Sequence, residues 1–448
     1  VEKYDVVILG GGNAGMGVTV ATRAAGLSVA MVEARDLGGT CPNRGCTPKK
    51  VLVAAGHALH EIERACEHRI TVAAPRLDWA ALIDREQAMV RDIPDRLAGV
   101  MAMRGVDVIH GEAAFVGSNA VRVGERQLDA ASIVIATGSR PRELCFPGAE
   151  LMTTSDDVLS DRALPSDVVF IGGGIIAFEL GHVYARAGVR VTILEALPQM
   201  LGGFDPDAVD QIRGESERIG MRLLTLALVK RIDRVGERLR VLFANDNSEH
   251  TIEADRVVNC AGRIANTDGL DLGAGHVAHR DGRIEIDAFL RSRSNPAVHV
   301  CGDAVWNSPQ LSPIATYEGR IVGRNIVEGA KHQPDYSQIP SSVYTVPAVA
   351  SVGLTEAKAA EGGLRIKVQV NDMRGWLSAR TYAETVAWSK IIVGVESDHI
   401  LGAHVVGHAG EELIHIFALA MRHGITATDL ADNLYGFPTF SSDIKNMM

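Results

Sequence analysis

Apolar residues in this chain come in short runs of strand length, each followed by glycines and then by a longer stretch with helical spacing. Residues 4–9 form the first such run and predict a buried strand. Gly10-Gly11-Gly12-Asn13-Ala14-Gly15 follows, then a helix-like stretch over 16–25, then a second strand over 28–32 that ends at Glu33. The series recurs. Residues 168–171 predict a strand, Gly172-Gly173-Gly174-Ile175-Ile176-Ala177 a loop, the stretch through Arg186 a helix, and 190–194 a strand that ends at Glu195. Each landmark is displaced by 162 positions, the difference between 10 and 172: Gly12 returns as Gly174, Gly15 as Ala177 and Glu33 as Glu195.

Strand, Gly-x-Gly-x-x-Gly, helix, strand and acid together predict a dinucleotide-binding βαβ unit. Gly10 permits the tight turn, Gly12 lets the backbone approach a pyrophosphate, and Gly15 lets the helix lie close to the strand. The helix N-terminus faces the phosphates, and Glu33 can accept from a ribose hydroxyl. Two such units imply two dinucleotides, or one cofactor passing electrons to another. The alternative is a structural duplicate with an empty site. Glu195 would bond a free 2′-hydroxyl and repel a 2′-phosphate, and Ala196-Leu197-Pro198-Gln199-Met200-Leu201 offers no arginine, so NADH is expected over NADPH.

Directly after the first acid comes Gly38-Gly39-Thr40-Cys41-Pro42-Asn43-Arg44-Gly45-Cys46-Thr47-Pro48-Lys49-Lys50. As a structural staple, a Cys41–Cys46 bridge would close too small a loop to constrain much. A dithiol that opens and closes during turnover is the better reading, against two ordinary reduced cysteines. The stretch after Pro48 has helical character, so Cys46 is expected near a helix start, where the dipole and Lys49 and Lys50 favour a thiolate. A two-electron relay needs the disulfide against the ring that receives hydride. The first unit should therefore hold a flavin and the second a nicotinamide.

Length adds domains to this picture. At 448 residues the chain exceeds a single core, and two to four domains are expected. Apolar content of 46% and charged content of 22% are ordinary for a globular protein. The net charge of −10, with no basic stripe, argues against nucleic acid. No run is long enough to predict a membrane span. With no basic leader ahead of the first strand and six cysteines that form no framework, a cytoplasmic location is expected. Cys66, Cys145, Cys260 and Cys301 are expected to be buried and inert. His404 and His408 share a face of a strand-like run, but only Glu411 and Glu412 lie near enough to complete a metal site, and none is expected.

These motifs resemble the pyridine-nucleotide disulfide oxidoreductases, the family of dihydrolipoamide dehydrogenase, glutathione reductase and mercuric reductase. The residues 38–50 are the most specific part. Ile133-Val134-Ile135-Ala136-Thr137-Gly138-Ser139-Arg140-Pro141 resembles the family's crossover into the nicotinamide domain, and Val258-Asn259-Cys260-Ala261-Gly262-Arg263 the crossover back. Val298-His299-Val300-Cys301-Gly302-Asp303 resembles the strand whose Asp holds the flavin ribityl chain, and Leu311-Ser312-Pro313-Ile314-Ala315 the segment beside the flavin ring. The resemblance implies an α/β fold with two Rossmann-like dinucleotide-binding domains and a C-terminal α+β dimerisation domain. Residues 1–142 would form the FAD domain with its redox disulfide, 143–265 the NAD(P) domain, 266–335 the second part of the FAD domain, and 336–448 the interface of a homodimer. In the last of these, residues 341–355 and 390–408 would be strands and 411–423 a helix.

Residue by residue, the resemblance makes Cys46 the thiolate nearest the flavin and Cys41 the one that meets the substrate. Lys50 becomes the lysine beside flavin N5 and Glu179 its partner; on their own they read as a surface lysine and a solvated helix glutamate. It implies FAD contacts from Gly10, Gly12, Asn13, Ala14, Gly15, Glu33, Ala34, Gly39, Thr40, Lys50, Ala136, Thr137, Gly138, Gly302, Asp303, Ile314 and Ala315. It implies nicotinamide contacts from Gly172, Gly174, Ile175, Ile176, Glu179, Glu195, Ala261 and Gly262.

One segment departs from the family. Disulfide reductases carry a His-Pro-Thr segment, with a Glu five residues after the His, as acid–base for the partner subunit's outer cysteine. Here Pro438-Thr439 fixes the alignment, Phe437 replaces the His, and Ser442 replaces the Glu. Phenylalanine carries no proton, and general acid–base help is typically worth about 10²–10⁴ in rate, so a relaxed substrate should react poorly. The acceptor could then be a metal ion, a quinone or an activated disulfide, although the final Asn446-Met447-Met448 lacks the cysteine pair of mercuric reductases. A proton-excluding, thioether-cleaving carboxylase, or substitution of the base by Tyr435 or Asp443, are further readings. So are an oxidase or diaphorase that passes flavin electrons directly to O₂ or quinone, and a non-catalytic flavoprotein redox sensor. Tyr435 also reads as interface packing, and Trp376 as packing or as cleft lining.

Overall fold

The computed structural model describes residues 1–246 and 248–448. The chain forms two compact units: residues 1–49, 84–142 and 262–336 make the first, and residues 50–83, 143–261 and 337–448 the second. Residues 50–83, expected with the first dinucleotide domain, fall in the second unit. The reason is packing: Val51, Leu52, Val53, Trp79 and Ile83 share a hydrophobic cluster with Phe170, Phe178 and Tyr184.

The first unit is built on a seven-stranded sheet. Val106–His110, Val29–Glu33, Glu2–Leu9 and Arg126–Ile135 run parallel in that order. The long strand Arg126–Ile135 serves two neighbours on its other edge. Its first half pairs antiparallel with Ala120–Val123, and its last three residues pair in parallel with Val298–Val300. The expected strand 4–9 thus begins at Glu2, and the expected helix 16–25 is Asn13–Ala24. That helix packs on Ser312–Glu328. Gly319 and Gly323 make the close approach possible, since a Cβ there would stand 2.1 Å and 2.6 Å from the carbonyls of Ala14 and Val18.

The second unit holds three sheets. Arg222–Leu224, Arg190–Leu194, Asp167–Ile171 and Arg256–Asn259 form a parallel sheet in that order. A three-stranded antiparallel meander follows from Leu228–Val235 through Ser248–Ala254. The C-terminal part is a five-stranded antiparallel sheet in the order Ser341–Val343, Ala348–Gly353, Ile400–Gly407, Trp388–Gly394, Ile366–Asp372. The amphipathic helix Gly410–His423 covers it through Leu413, Ile414 and Phe417. Strands and helix fall where the resemblance put them. Among the described residues no helix is long and apolar enough to cross a membrane.

The two βαβ turns are built alike but differ in tolerance. Gly10 has φ +112°, and a Cβ there would stand 2.3 Å from the Ala136 carbonyl oxygen; a Cβ at Gly15 would stand 2.0 Å from that of Gly10. In the second unit Ala177 fills the Gly15 position and is fully buried. Gly174 has nothing within 4 Å of its missing Cβ. Overpacking of this kind costs about 1–3 kcal/mol, so Gly15→Ala should lower the melting temperature by several degrees and Gly174→Ala should not, as read by calorimetry. Equal melting temperatures for the two variants would refute the packing argument.

Candidate functional site

Both glycine loops end on a helix whose N-terminus no side chain caps, with Asn13 following Gly12 in one and Ile175 following Gly174 in the other. In each, the acid at the end of the second strand reaches back into the loop. Glu33 Oε2 accepts from the Gly11 N–H at 2.7 Å and Oε1 from the Arg35 N–H at 2.8 Å. Glu195 repeats this with the Gly173 N–H at 2.6 Å and the Leu197 N–H at 2.8 Å. A carboxylate offers about four acceptor positions, so both acids keep capacity for a ribose hydroxyl.

The rest of the first loop's surroundings come from distant segments of the same unit. The Gly38 N–H donates to the Gly11 carbonyl at 2.9 Å, which brings the cysteine segment against the loop. Asp303, after the strand Val298–Val300, accepts from the Ser139 hydroxyl at 2.9 Å, and Ser139 accepts from Arg263 Nε at 2.9 Å. Burial raises the Asp303 carboxyl, while Ser139 and Arg263 oppose that. The Gly302 N–H is taken by buried Glu318 at 2.6 Å, which also accepts from Tyr336 Oη at 2.6 Å. Ile314 and Ala315 are buried nearby in sequence to Ser312, and Ala34 is exposed at the loop's rim. Thr137 Oγ1 is shielded from solvent and has no hydrogen-bond partner among the described residues. Gly138, at φ +69°, has open space where a Cβ would be. An orphaned hydroxyl, an open glycine and an uncapped helix start fit a bound dinucleotide.

Cys41 lies in the short helix Thr40–Arg44, and Cys46 is the first residue of the helix Cys46–Arg64, three residues earlier than the post-Pro48 start expected. Gly45 joins them at close quarters, its missing Cβ 3.0 Å from the Thr40 oxygen. Both are free thiols in this structure. They share one hydrogen bond, with Cys46 donating to Cys41. That bond is the main reason the Cys41 thiol is held down to about 6; Ser312, the Cys46 N–H and Asn13 add to it, against burial. The same bond pushes Cys46 up, and the charge of Lys49 works the other way without winning. In the free dithiol the shared hydrogen bond favours charge on Cys41, whereas the helix start and the lysines favour it on Cys46. A direct hydrogen bond at contact outweighs a dipole and a solvated ammonium.

In the second unit, Lys50 is one turn beyond Cys46 along the helix. Its Nζ stands 3.8 Å from the centre of the Tyr344 ring and 3.8 Å from Glu411 Oε1. Glu179, buried in the helix Ile175–Arg186, accepts from the Tyr344 N–H at 2.9 Å. Ile175 and Ile176 open that helix, and Ala261 and Gly262 straddle the passage between the units. Tyr344 was not singled out by sequence, because a lone tyrosine carries no motif; Ser312 entered only within the segment beside the flavin ring, and Glu411 only as a possible partner of His404 and His408.

The C-terminal segment offers no replacement base at the vacant positions. Phe437 is 72% exposed and Leu434 96% exposed. Tyr435 Oη donates to the Leu430 carbonyl at 3.1 Å, and Ser442 caps a short turn with Thr439. Burial raises the Asp443 carboxyl. His404 and His408 do not converge on a metal. His404 bonds Ser351 and the Leu354 carbonyl, whereas His408 bonds Glu384 at 3.0 Å and stacks on Phe440. Among the described residues no group of three or more His, Cys, Asp and Glu is placed to hold a metal ion. Cys260 and Cys301 are buried as expected, but Cys66 and Cys145 are exposed, because each lies on or beside an irregular surface segment. Trp376 packs partly buried against the C-terminal core.

Comparison with known proteins agrees with this layout. Residues 4–319 match the model of the pyridine nucleotide-disulphide oxidoreductases, and residues 339–448 match that of the family's dimerisation domain. Dihydrolipoyl dehydrogenase of Chlamydia muridarum (strain MoPn / Nigg) is 33% identical over 450 residues, covering 98% of this chain and 95% of the relative. Mercuric reductase of Lysinibacillus sphaericus is 31% identical over 448 residues, covering 99% of this chain and 82% of the relative. The solved Cu(II) complex of the HOCl-induced flavoprotein disulfide reductase RclA from Escherichia coli superposes with a TM-score of 0.89 at 26% identity, covering 100% of this chain and 99% of that one.

The thiol pair gives a direct test. In the reduced protein, alkylation of Cys41 should rise as pH passes about 6. In Cys46→Ala, which removes the donor, the rise should move up by at least one pH unit. Iodoacetamide rates followed by mass spectrometry read this out, and an unmoved midpoint would sink the shared-proton account.

Proposed function

The chain belongs to the pyridine nucleotide-disulphide oxidoreductases, and from that premise we propose that it passes an electron pair from NADH, by way of FAD, through the Cys41–Cys46 disulfide to an acceptor that Cys41 meets. As a member of that family it is a flavin-dependent oxidoreductase that uses FAD and a pyridine nucleotide, and its dimerisation domain makes it a homodimer. The observation that carries the reading is the dithiol itself. Cys41 and Cys46 share a proton, and Asn13 and Ser312, one opening the first dinucleotide helix and the other the helix packed on it, both hydrogen-bond Cys41.

In this reading Gly10, Gly12, Gly15, Glu33, Thr137, Gly138 and Asp303 hold the FAD, and FAD bound there supplies hydride acceptance and two-electron delivery to sulfur. Gly172, Gly174 and Glu195 hold the nicotinamide dinucleotide. Glu195 stands at the end of its strand, where a 2′-phosphate would meet it, which favours NADH. Lys50, by family correspondence, would stand beside the flavin ring, with Glu179 as its partner. Cys41, the thiol of lower pKa, is the nucleophile. Its sulfur attacks an acceptor disulfide and expels one thiolate. Cys46 then gives up its proton and attacks Cys41, closing the disulfide and expelling the second thiolate. Cu(II) takes one electron per ion, so that two ions are reduced to Cu(I) for each disulfide closed. Phe437 removes the family's proton donor, so the acceptor is one whose product needs no proton at departure: an activated disulfide or a soft metal ion. The Cu(II) complex of RclA favours the metal ion as the second of these.

Two measurements test the reading. Cys41→Ser should leave the flavin reducible by NADH under anaerobic conditions, with NADPH slower, yet abolish turnover with 5,5′-dithiobis(2-nitrobenzoate) and with Cu(II). Full turnover in that variant with every acceptor would show that electrons bypass the sulfurs. Phe437→His combined with Ser442→Glu should speed lipoamide reduction by about ten- to a hundredfold, within the range general acid–base catalysis supplies, and leave the activated disulfide nearly unchanged. A parent enzyme that already reduces lipoamide as fast as the double variant would remove the argument from Phe437.

A further inference from the structure

Glu318 is fully buried on the helix Ser312–Glu328 and takes no part in the scheme above. Three donors converge on it. The Gly302 N–H reaches Oε2 at 2.6 Å, Tyr336 Oη reaches Oε1 at 2.6 Å, and the Ser308 hydroxyl also donates to Oε1. Burial, and to a lesser degree the charge of Asp303, raise the Glu318 carboxyl, and the three donors work against that. Gly302 opens the tight turn Gly302–Ala304, where it takes φ +72° and a Cβ would stand 2.8 Å from that of Ala14. The turn therefore lies on the helix of the first dinucleotide loop. Asp303 follows directly. Its Oδ2 accepts from Ser139 at 2.9 Å, and its Oδ1 accepts no hydrogen bond among the described residues.

We propose that Glu318 is a positioning residue for Asp303, pinning the Gly302 N–H so that Asp303 Oδ1 is presented to a hydroxyl on the ribityl chain of FAD. A glycine in the left-handed region sets the direction in which the next residue leaves the turn. Its buried N–H needs an acceptor, and without one the turn would shift to find another. A carboxylate is the strongest acceptor available, roughly twice as strong as a neutral one. Ser139 fixes the Asp303 side chain at one oxygen, and Glu318 fixes the main chain one peptide away. The inference rests on the reading above that Asp303 holds FAD, and adds the residue that aims it.

The test uses the purified homodimer carrying Glu318→Gln, Asp303→Asn, both together, or Tyr336→Phe. The glutamine keeps the shape but offers one accepting oxygen to three donors. Loss of FAD on dilution is followed by the rise of flavin fluorescence. The affinity of the stripped protein for ADP, which has no ribityl chain, is read by calorimetry. Glu318→Gln should speed FAD loss about tenfold, the size of one lost hydrogen bond to a charged group. Asp303→Asn should do the same, and the double variant should be no faster than Asp303→Asn, since both act through one contact. ADP affinity should stay parental in all of them. Tyr336→Phe leaves the Gly302 bond in place and should lose FAD at the parental rate. If Glu318→Gln does not fold, Glu318→Asp, which keeps the charge but shortens the reach, carries the same expectation. Multiplying effects in the double variant, an equal loss of ADP affinity, or a Tyr336→Phe form as fast as Glu318→Gln overturns the positioning role. Parental FAD loss in Asp303→Asn overturns the placement of that residue on FAD, whereas a parental Glu318→Gln beside a fast Asp303→Asn overturns the brace alone.

Discussion

A strand-end carboxylate that reaches back to a glycine N–H is the interaction on which both halves of this chain depend. Glu33 and Glu195 each commit one oxygen to the middle glycine of their own loop and the other to the backbone two residues onward. The two bonds to the glycines are charge-assisted and partly or fully shielded, the setting in which such bonds are strongest. The loop is thereby tied to the second strand, and the helix that starts after it is aimed. An acid that reads as a ribose ligand is first a structural brace. Its remaining lone pairs are what a nucleotide would use.

The dithiol shows how a contact interaction overrides longer-range fields. Cys46 has a helix start and lysines in its favour, and would be the thiolate if those acted alone. Four intervening residues with Gly45 at their tightest point put the other sulfur in hydrogen-bonding reach, and one proton then has to serve two sulfurs. The sulfur with more donors takes the charge, and Ser312 and Asn13 give that advantage to Cys41. Under the proposed function, this arrangement would suit a nucleophile that must meet an acceptor without the family's histidine. Low thiol pKa replaces part of what a base would do, since the thiolate is already present near neutral pH. It does nothing for the leaving group, and that asymmetry is what narrows the acceptor.

Much of this was legible in the chain. The 162-residue repeat, the acids and the two cysteines lie within short segments, where local chemistry dictates the geometry. A Gly-x-Gly turn needs its glycines wherever it occurs, as Gly10 and Gly172 show with their positive φ and their tight approach to a carbonyl. Phe437 and Ser442 were readable as vacancies for the same reason: a fixed Pro-Thr pair sets the register. Helix starts were placed a few residues late, since Asn13–Ala14 and Cys46–Thr47 carry no helical periodicity of their own.

What sequence could not give is every partnership between segments far apart. Ser312 and Asn13 are 299 positions apart, and Tyr344 and Glu179 are 165 apart. No propensity or spacing links them. Sheet order and helix packing bring them together, and only then do a serine, an asparagine and a tyrosine acquire partners. The same holds for residues 50–83, whose apolar side chains find their core with Phe170 and Tyr184 rather than with the strand that precedes them. The chain by itself determined the chemistry on offer, two dinucleotide loops and a redox pair, because backbone strain and bond reactivity are local. Tertiary structure alone decided which side chains stand beside the two sulfurs and beside Lys50, because those contacts exist only once the chain is folded.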